Sequence, residues 1–265
     1  FGQISYLTTY SSDYSTILPT VSWVFDNSVF GFTGPVDGFR QNMSMTINPG
    51  YGSNDLKFQT FKTDSRKYWL LGKDYTLAIR GFFGKSIGAN KQKFFLGGIP
   101  YLLGGGGETN GLTDESNFRN VILDTSNASL IHDIYFTEYA FPLRGARFAE
   151  RFGTNATLLN FEVRFPFINY LALGFPLKVI FGNIRGHAFM DVGAAWDDPE
   201  EFTKTSWPVR YGSSNSGEFS PWVTTIGLGT KINLGYFLLR IETAWDKNPN
   251  GYSKPQWYFS LGPDW

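Results

Sequence analysis

Between Pro221 and Leu234 the even positions hold Trp222, Thr224, Ile226, Leu228, Thr230, Ile232 and Leu234, while the odd positions hold Val223, Thr225, Gly227, Gly229, Lys231 and Asn233. Successive side chains of a β-strand point to opposite faces, so this period of two gives one apolar face and one small or polar face. After Gly235 the pattern resumes with Phe237, Leu239, Ile241, Thr243 and Trp245 against Leu238, Arg240, Glu242, Ala244 and Asp246, which predicts a hairpin with both apolar faces on one side. It returns in Trp257, Phe259 and Leu261, in Phe161, Val163, Phe165 and Phe167, and upstream in Val21, Trp23 and Phe25, in Met43, Met45 and Ile47, and in Tyr75, Leu77 and Ile79. Helical periodicity is nearly absent.

Ten strands are expected, near 3–11, 19–27, 38–48, 56–71, 74–84, 157–167, 176–196, 222–233, 236–246 and 256–262. Turn residues separate neighbours, at Asn48-Pro49-Gly50, Gly72-Lys73 and Asp246 to Gly251, so the strands read as an antiparallel meander. The exception is a long insertion, about 85–155, of a length that inside a compact domain is functional or disordered. A soluble β-sandwich also alternates. Two features favour a transmembrane β-barrel instead. The second face carries Arg40, Asn42, Arg80, Asn160, Glu162, Arg164, Asp191, Arg240 and Glu242, a polar interior behind an apolar exterior. Trp196, Trp222, Trp245 and Trp257 sit near strand ends, where an interfacial girdle places them. In lipid only a closed barrel satisfies every backbone group of such strands. The expected fold class is therefore all-β, an antiparallel transmembrane β-barrel occupying residues 1–265 as one domain.

Composition removes several functions. The chain has 23 Lys and Arg against 23 Asp and Glu, so it lacks the basic surface a nucleic-acid partner requires. It has no Cys, which excludes disulfides, thiolate nucleophiles and Cys-ligated metals. No apolar run approaches the roughly 18 residues of a transmembrane helix. The N-terminal FGQISYLTTYSS has no basic segment followed by an apolar one, so the sequence reads as a mature protein or a piece of one.

Enzymatic signals dissolve on inspection. Gly81–Ser86, GFFGKS, ends like a phosphate-binding loop, but Ile79 stands where the first Gly is needed and the segment reads as a strand entering a loop. Gly104 to Gly107 neither follows a strand nor opens a helix, and reads as a flexible loop. His132 and His187 lack a second ligand at metal spacing and are assigned structural roles. Asp114-Glu115 and Asp197-Asp198 fall in loop-like stretches, more consistent with solvation than with acid/base work. No cofactor, metal or catalytic residue is expected.

The informative set is Arg144, Glu162 and Asp191. Strand parity places Glu162 and Asp191 on the polar face of neighbouring strands, and two enclosed carboxylates need a cation. The planar fork of Arg144, on the insertion just before the first of these strands, suits a carboxylate bidentately. If the insertion folds back inside, Arg144 reaches Asp191 and Glu162. If it lies outside, the carboxylates pair with Arg164 or Arg240. Parity alone leaves both open.

Leu143–Arg147 (LRGAR), Asn160–Phe167 (NFEVRFPF), Ala188–Trp196 (AFMDVGAAW), Phe94–Gly98 (FFLGG) and the closing WYFSLG together resemble the outer-membrane assembly and translocation barrels of the BamA and TamA type, which include the two-partner-secretion transporters. The resemblance spans the chain. It implies a long inward-folded loop whose tip is Leu143-Arg144-Gly145, an Arg144 held in the lumen by Asp191 of a Phe-x-Asp-x-Gly strand, and Gly193 as that motif's glycine. Ala146 replaces the usual aromatic. Val24–Arg40 further resembles a subgroup in which such a barrel follows a TolB-like propeller. Family barrels have sixteen strands, usually preceded by POTRA modules, so the resemblance implies that this chain supplies the last ten strands; a closed ten-stranded barrel is the alternative.

The resemblance implies a non-enzymatic outer-membrane protein that assembles or translocates other proteins, in contact with outer-membrane lipid and with substrate outer-membrane proteins or complex subunits. The alternatives are an anchor or structural subunit of a larger complex, or a diffusion porin. The expected lumen lock is Arg144, Gly145, Glu162, Asp191 and Gly193.

Overall fold

A computed structural model of the chain describes residues 17–50, 56–99, 102–105, 138–140, 142–146, 150–174, 179–199, 221–234, 237–248 and 251–262. The strands are β1 (Thr20–Asp26), β2 (Val29–Gly31), β3 (Gly34–Pro49), β4 (Lys57–Leu71), β5 (Tyr75–Gly88), β6 (Phe94–Leu96), β7 (Leu102–Gly105), β8 (Glu138–Ala140), β9 (Arg151–Gly153), β10 (Asn155–Leu173), β11 (Val179–Trp196), β12 (Trp222–Asn233), β13 (Leu238–Asn248), β14 (Gly251–Tyr252) and β15 (Gln256–Gly262). One sheet runs in the order β1-β3-β4-β5-β10-β11-β12-β13-β15-β7, and β6 lies between β8 and β9 in a second, three-stranded sheet. Nine of the ten expected strands are present as the meander; the tenth, near 3–11, lies outside the described residues. The large sheet's last member is instead β7, so Gly104 and Gly105 are in a strand rather than the flexible loop expected, antiparallel to β15 with Gly104 opposite Phe259. No helix among the described residues is long and apolar enough to cross a membrane.

Register follows the alternation. Asn160 pairs with Arg80 on β5 and with Asp191 on β11, and Asp191 pairs with Thr225 on β12, so inner residues align across the wall. All of them are buried, whereas Leu159, Val163, Met190, Leu228 and Phe259 are exposed on the other face. That apolar face carries no second layer among the described residues, which a β-sandwich would require. Phe161, Ile226 and Leu239 also lie on it, half-buried between neighbours in the sheet rather than in a core.

The interior is not uniformly polar as expected. Toward the end that carries the long insertion it is apolar, with Phe94, Leu96, Ala140, Leu143 and Ala146 of the insertion packed on Ala156, Leu158, Ala195 and Val223 of the wall. The charged residues form a zone beyond this. The insertion therefore seats by hydrophobic burial and by ion pairing at successive depths.

Two wall glycines set its position. A Cβ on Gly84 of β5 would lie 2.5 Å from the Phe94 ring, and one on Gly193 of β11 would lie 2.7 Å from Leu96 Cδ2. Phe94 and Leu96, two apart on one face of β6, occupy the slots these glycines leave. The opposite face turns Phe95 against Tyr139 and Phe152, with ring centroids 5.6 and 6.2 Å away. Lys62 Nζ on β4 donates to Glu138 Oε1 at 2.6 Å, fixing β8 to the wall.

Candidate functional site in the lumen

The tip of the insertion is held first by its backbone. Leu143 N donates to Gly98 O at 3.0 Å and Gly98 N donates to Leu143 O at 3.2 Å. Gly97 and Gly98 have φ of 125° and 93°, conformations that turn the chain after β6 and favour glycine. Asn160 Nδ2 donates to Pro142 O at 2.8 Å and to Asp191 Oδ1 at 2.8 Å, tying the tip and the acid to one wall residue. Gly145 has φ of 84°, and a Cβ there would meet Ala244 Cβ at 2.9 Å, so only glycine lets the tip approach the wall.

Arg144 is 1% exposed. Its Nε and Nη2 donate to Asp191 Oδ2 and Oδ1, both at 2.8 Å, the fork-to-fork geometry that a guanidinium and a carboxylate favour. Its backbone N donates to the same Oδ2 at 3.0 Å. Nη1 donates to Glu162 Oε2 at 2.8 Å and to Glu242 Oε1 at 3.3 Å. The guanidinium carbon stands 3.6 Å from the centre of the Phe189 ring, a stacked cation–π arrangement.

Side chains of β10, β11 and β12 complete the cluster. Glu162 Oε1 accepts from Arg164 Nε at 2.7 Å and from Lys231 Nζ at 2.6 Å, and His187 Nε2 lies 2.8 Å from Glu242 Oε1. Asp191, Glu162 and Glu242 thus pair with Arg144, Arg164 and Lys231, and Arg240, also buried, stands near Glu242. Each of those six paired groups has an opposite charge in contact, which limits the desolvation penalty that isolated buried charges incur. Such a cluster tolerates little change in geometry, so it specifies where the tip sits more than it adds stability. Nothing in it resembles a nucleophile with its base; the arrangement is suited to clamping a segment.

The structure brings Arg144, Gly145, Glu162 and Asp191 together and places Gly193 one turn of the pleat away, beneath Leu96. Of the two arrangements open in the sequence, the insertion folded back inside is the one present, with Arg144 buried on Asp191 and Glu162; from the other, with Arg144 outside, only the pairing of Glu162 with Arg164 is found. Sequence reasoning missed Glu242 as an Arg144 partner and Lys231 as a Glu162 partner, although parity puts both on the inner face. His187 is buried within this cluster. His132, Asp114, Glu115 and Arg147 lie outside the described residues. Asp197 Oδ1 accepts from Thr154 N at 2.8 Å, a strand-end contact.

Comparison with known proteins follows the same lines. The family model of the Omp85 superfamily domain matches residues 4–265. Among solved structures, the crystal structure of BamA from Haemophilus ducreyi lacking POTRA domains 1-3 is similar, with a TM-score of 0.52 at 14% identity, covering 91% of this chain and 42% of that one. The chain thus spans less than half the length of that relative. A search of curated proteins finds no match.

Proposed function

Because the chain belongs to the Omp85 superfamily, we propose that it works in the outer membrane as a barrel that inserts or translocates other proteins, in the manner of BamA- and TamA-type assembly barrels. Residues 1–265 act as a single barrel domain, and Arg144, Gly145, Glu162, Asp191 and Gly193 lock the long loop inside. The partners are outer-membrane lipid along the apolar face and client outer-membrane proteins or complex subunits at the sheet edge. The role is non-enzymatic.

The observation that carries this reading is the Arg144 tip clamped on three wall carboxylates, a device that holds a folded-in loop and has no evident use in a passive wall. The edge of β15 adds support. It pairs with a short strand of the same chain, and a sheet edge that accepts one strand by main-chain hydrogen bonds can accept another. The second reading, an anchor or structural subunit, uses the same wall and needs no exchange at this edge.

The absence of cysteine makes the test clean. Gly104→Cys with Phe259→Cys, opposite one another in the β7–β15 register, ties the edge shut. In the full-length protein the oxidised pair is expected to stop maturation of client outer-membrane proteins, and reduction to restore it. Unchanged maturation with the disulfide formed would favour the anchor. A diffusion porin would instead give a steady open conductance in planar bilayers, with or without the disulfide.

A further inference from the structure

At the end of the wall opposite the long insertion, most turns are short: Gly72 to Asp74 joins β4 to β5, and Leu234 to Phe237 joins β12 to β13. The connection from β1 to β3 is different. It extends as a ribbon in which Val29 pairs with Asp37, Phe30 with Pro35 and Gly31 with Gly34. The ribbon leaves the wall at Gly38, whose φ is 101° and where a Cβ would lie 2.5 Å from Asn27 O. Asn27 Oδ1 caps the bend by accepting from Phe39 N at 2.7 Å.

The tip of this ribbon lands on distant strands. Arg164 Nη1 on β10 donates to Pro35 O at 2.7 Å, and Asn233 Nδ2 on β12 donates to Phe32 O at 2.5 Å. Three strand pairings separate β3 from β10, and two more separate β10 from β12. The ribbon therefore crosses the mouth, burying Thr33 and Pro35 beneath it and leaving Val29, Phe30 and Phe32 exposed.

We propose that the Val29–Val36 ribbon is a strap latched across this mouth, and that Arg164 couples the strap to the Arg144 loop through Glu162. One edge of the Arg164 guanidinium holds the strap through Nη1, and Nε holds Glu162 Oε1 at 2.7 Å. The group is planar and rigid, so neither end moves without the other. Glu162 in turn gives its second oxygen to Arg144. When the loop withdraws, Glu162 loses that partner, is left to Arg164 and Lys231, and shifts toward them, carrying the guanidinium off Pro35 O. When the strap opens, Arg164 is released onto Glu162 and competes with Arg144. Loop seating and strap closure favour one another, and linkage requires that the effect be reciprocal.

Two reporters in the cysteine-free chain test this. Thr33→Cys reports the strap and Ala146→Cys reports the loop tip, each buried in the closed state, and each is labelled with a membrane-impermeant maleimide in the folded protein in lipid bilayers. Asn233→Ala, which removes the bond from Asn233 Nδ2 to Phe32 O, is expected to speed labelling of Thr33→Cys about five- to ten-fold, the population change expected for one lost hydrogen bond, and to speed Ala146→Cys in the same direction. Arg144→Ala, which removes the bonds to Asp191, Glu162 and Glu242, is expected to speed both reporters, whereas Lys247→Ala, an exposed residue over the Tyr252 ring near the end of β13, moves neither. If Arg144→Ala does not fold, Arg144→Lys replaces it, since a lysine cannot span Asp191 and Glu162 together. Release of Ala146→Cys with Thr33→Cys unchanged would overturn the coupling, and an Arg164→Met variant that leaves Thr33→Cys protected would overturn the latch. Neither readout requires client assembly, so its outcome is separate from that of the function proposed above.

Discussion

Replacing Arg144 by alanine removes four side-chain hydrogen bonds at once, two to Asp191, one to Glu162 and one to Glu242. The three acids do not fare equally afterwards. Glu162 keeps Arg164 and Lys231, and Glu242 keeps His187, but Asp191 retains only Asn160 Nδ2 and the backbone N of residue 144. One wholly buried carboxylate is left without a counter-charge. Breaking a buried ion pair in this way typically costs about 3–5 kcal/mol, and water entering the lumen moves the result toward the lower figure. Urea unfolding in detergent, followed by tryptophan fluorescence, should show a lower midpoint with an unchanged slope, the signature of lost stability without altered compactness. Two comparisons bracket it. Arg66→Ala should cost less than Arg144→Ala, because Asp64 keeps Arg80 Nη2 at 2.7 Å, and so should Arg147→Ala. A midpoint for Arg144→Ala no lower than that of either comparison would refute the clamp.

Gly193→Ala puts a methyl within 2.7 Å of a Leu96 side chain that has no exposed surface; overpacking of this kind should cost about 1–3 kcal/mol, and the double variant Gly193→Ala, Leu96→Ala, in which the added methyl meets a shortened side chain, should not sum the two penalties in a double-mutant cycle. Gly145→Ala adds backbone strain at φ 84° to a 2.9 Å approach to Ala244 and should destabilise by about 1–3 kcal/mol, with Ala146→Cys becoming accessible to maleimide. Phe161→Arg places a charge on the outer face and should weaken folding into bilayers by about 2–4 kcal/mol, while the same variant stays well behaved in urea. In planar bilayers the native protein should conduct little and Arg144→Ala should open larger, flickering currents; a steady, equal conductance for both would contradict a loop seated in the lumen.

The wall was legible because period two is enforced through most of its strands, β10 keeping it up to the bulge between Pro166 and Ile168: a one-residue slip before that bulge would turn Glu162 and Arg164 outward and Phe161 and Val163 inward. The same rule exposed Glu162 and Asp191 as lumen acids. What escaped was short or set by distant partners. β6, β8 and β9 have three residues each, too few to show a period, and their order comes from packing on Gly84 and Gly193 rather than from local preference. β7 is rich in glycine, which strands disfavour, and it is a strand because β15 offers an edge. The strap was hidden for a related reason: Gly31 to Pro35 reads as an ordinary turn, and nothing local reveals that Arg164 and Asn233 await it. Which of several inner-face cations Glu162 would take was likewise a matter of reach across the lumen. Arg144 was legible only to the extent that a buried acid pair requires a cation and the LRG tip resembles a known loop.

The most direct test is the distance from the Arg144 guanidinium to the Asp191 carboxylate, measured by solid-state NMR on the selectively labelled protein in lipid bilayers. The account predicts hydrogen-bond contact, with nitrogen and oxygen about 2.8 Å apart as in the Nη2–Oδ1 pair, and a guanidinium shielded from water. An Arg144 that is hydrated and remote from Asp191, with the acid paired to another wall cation, would contradict it.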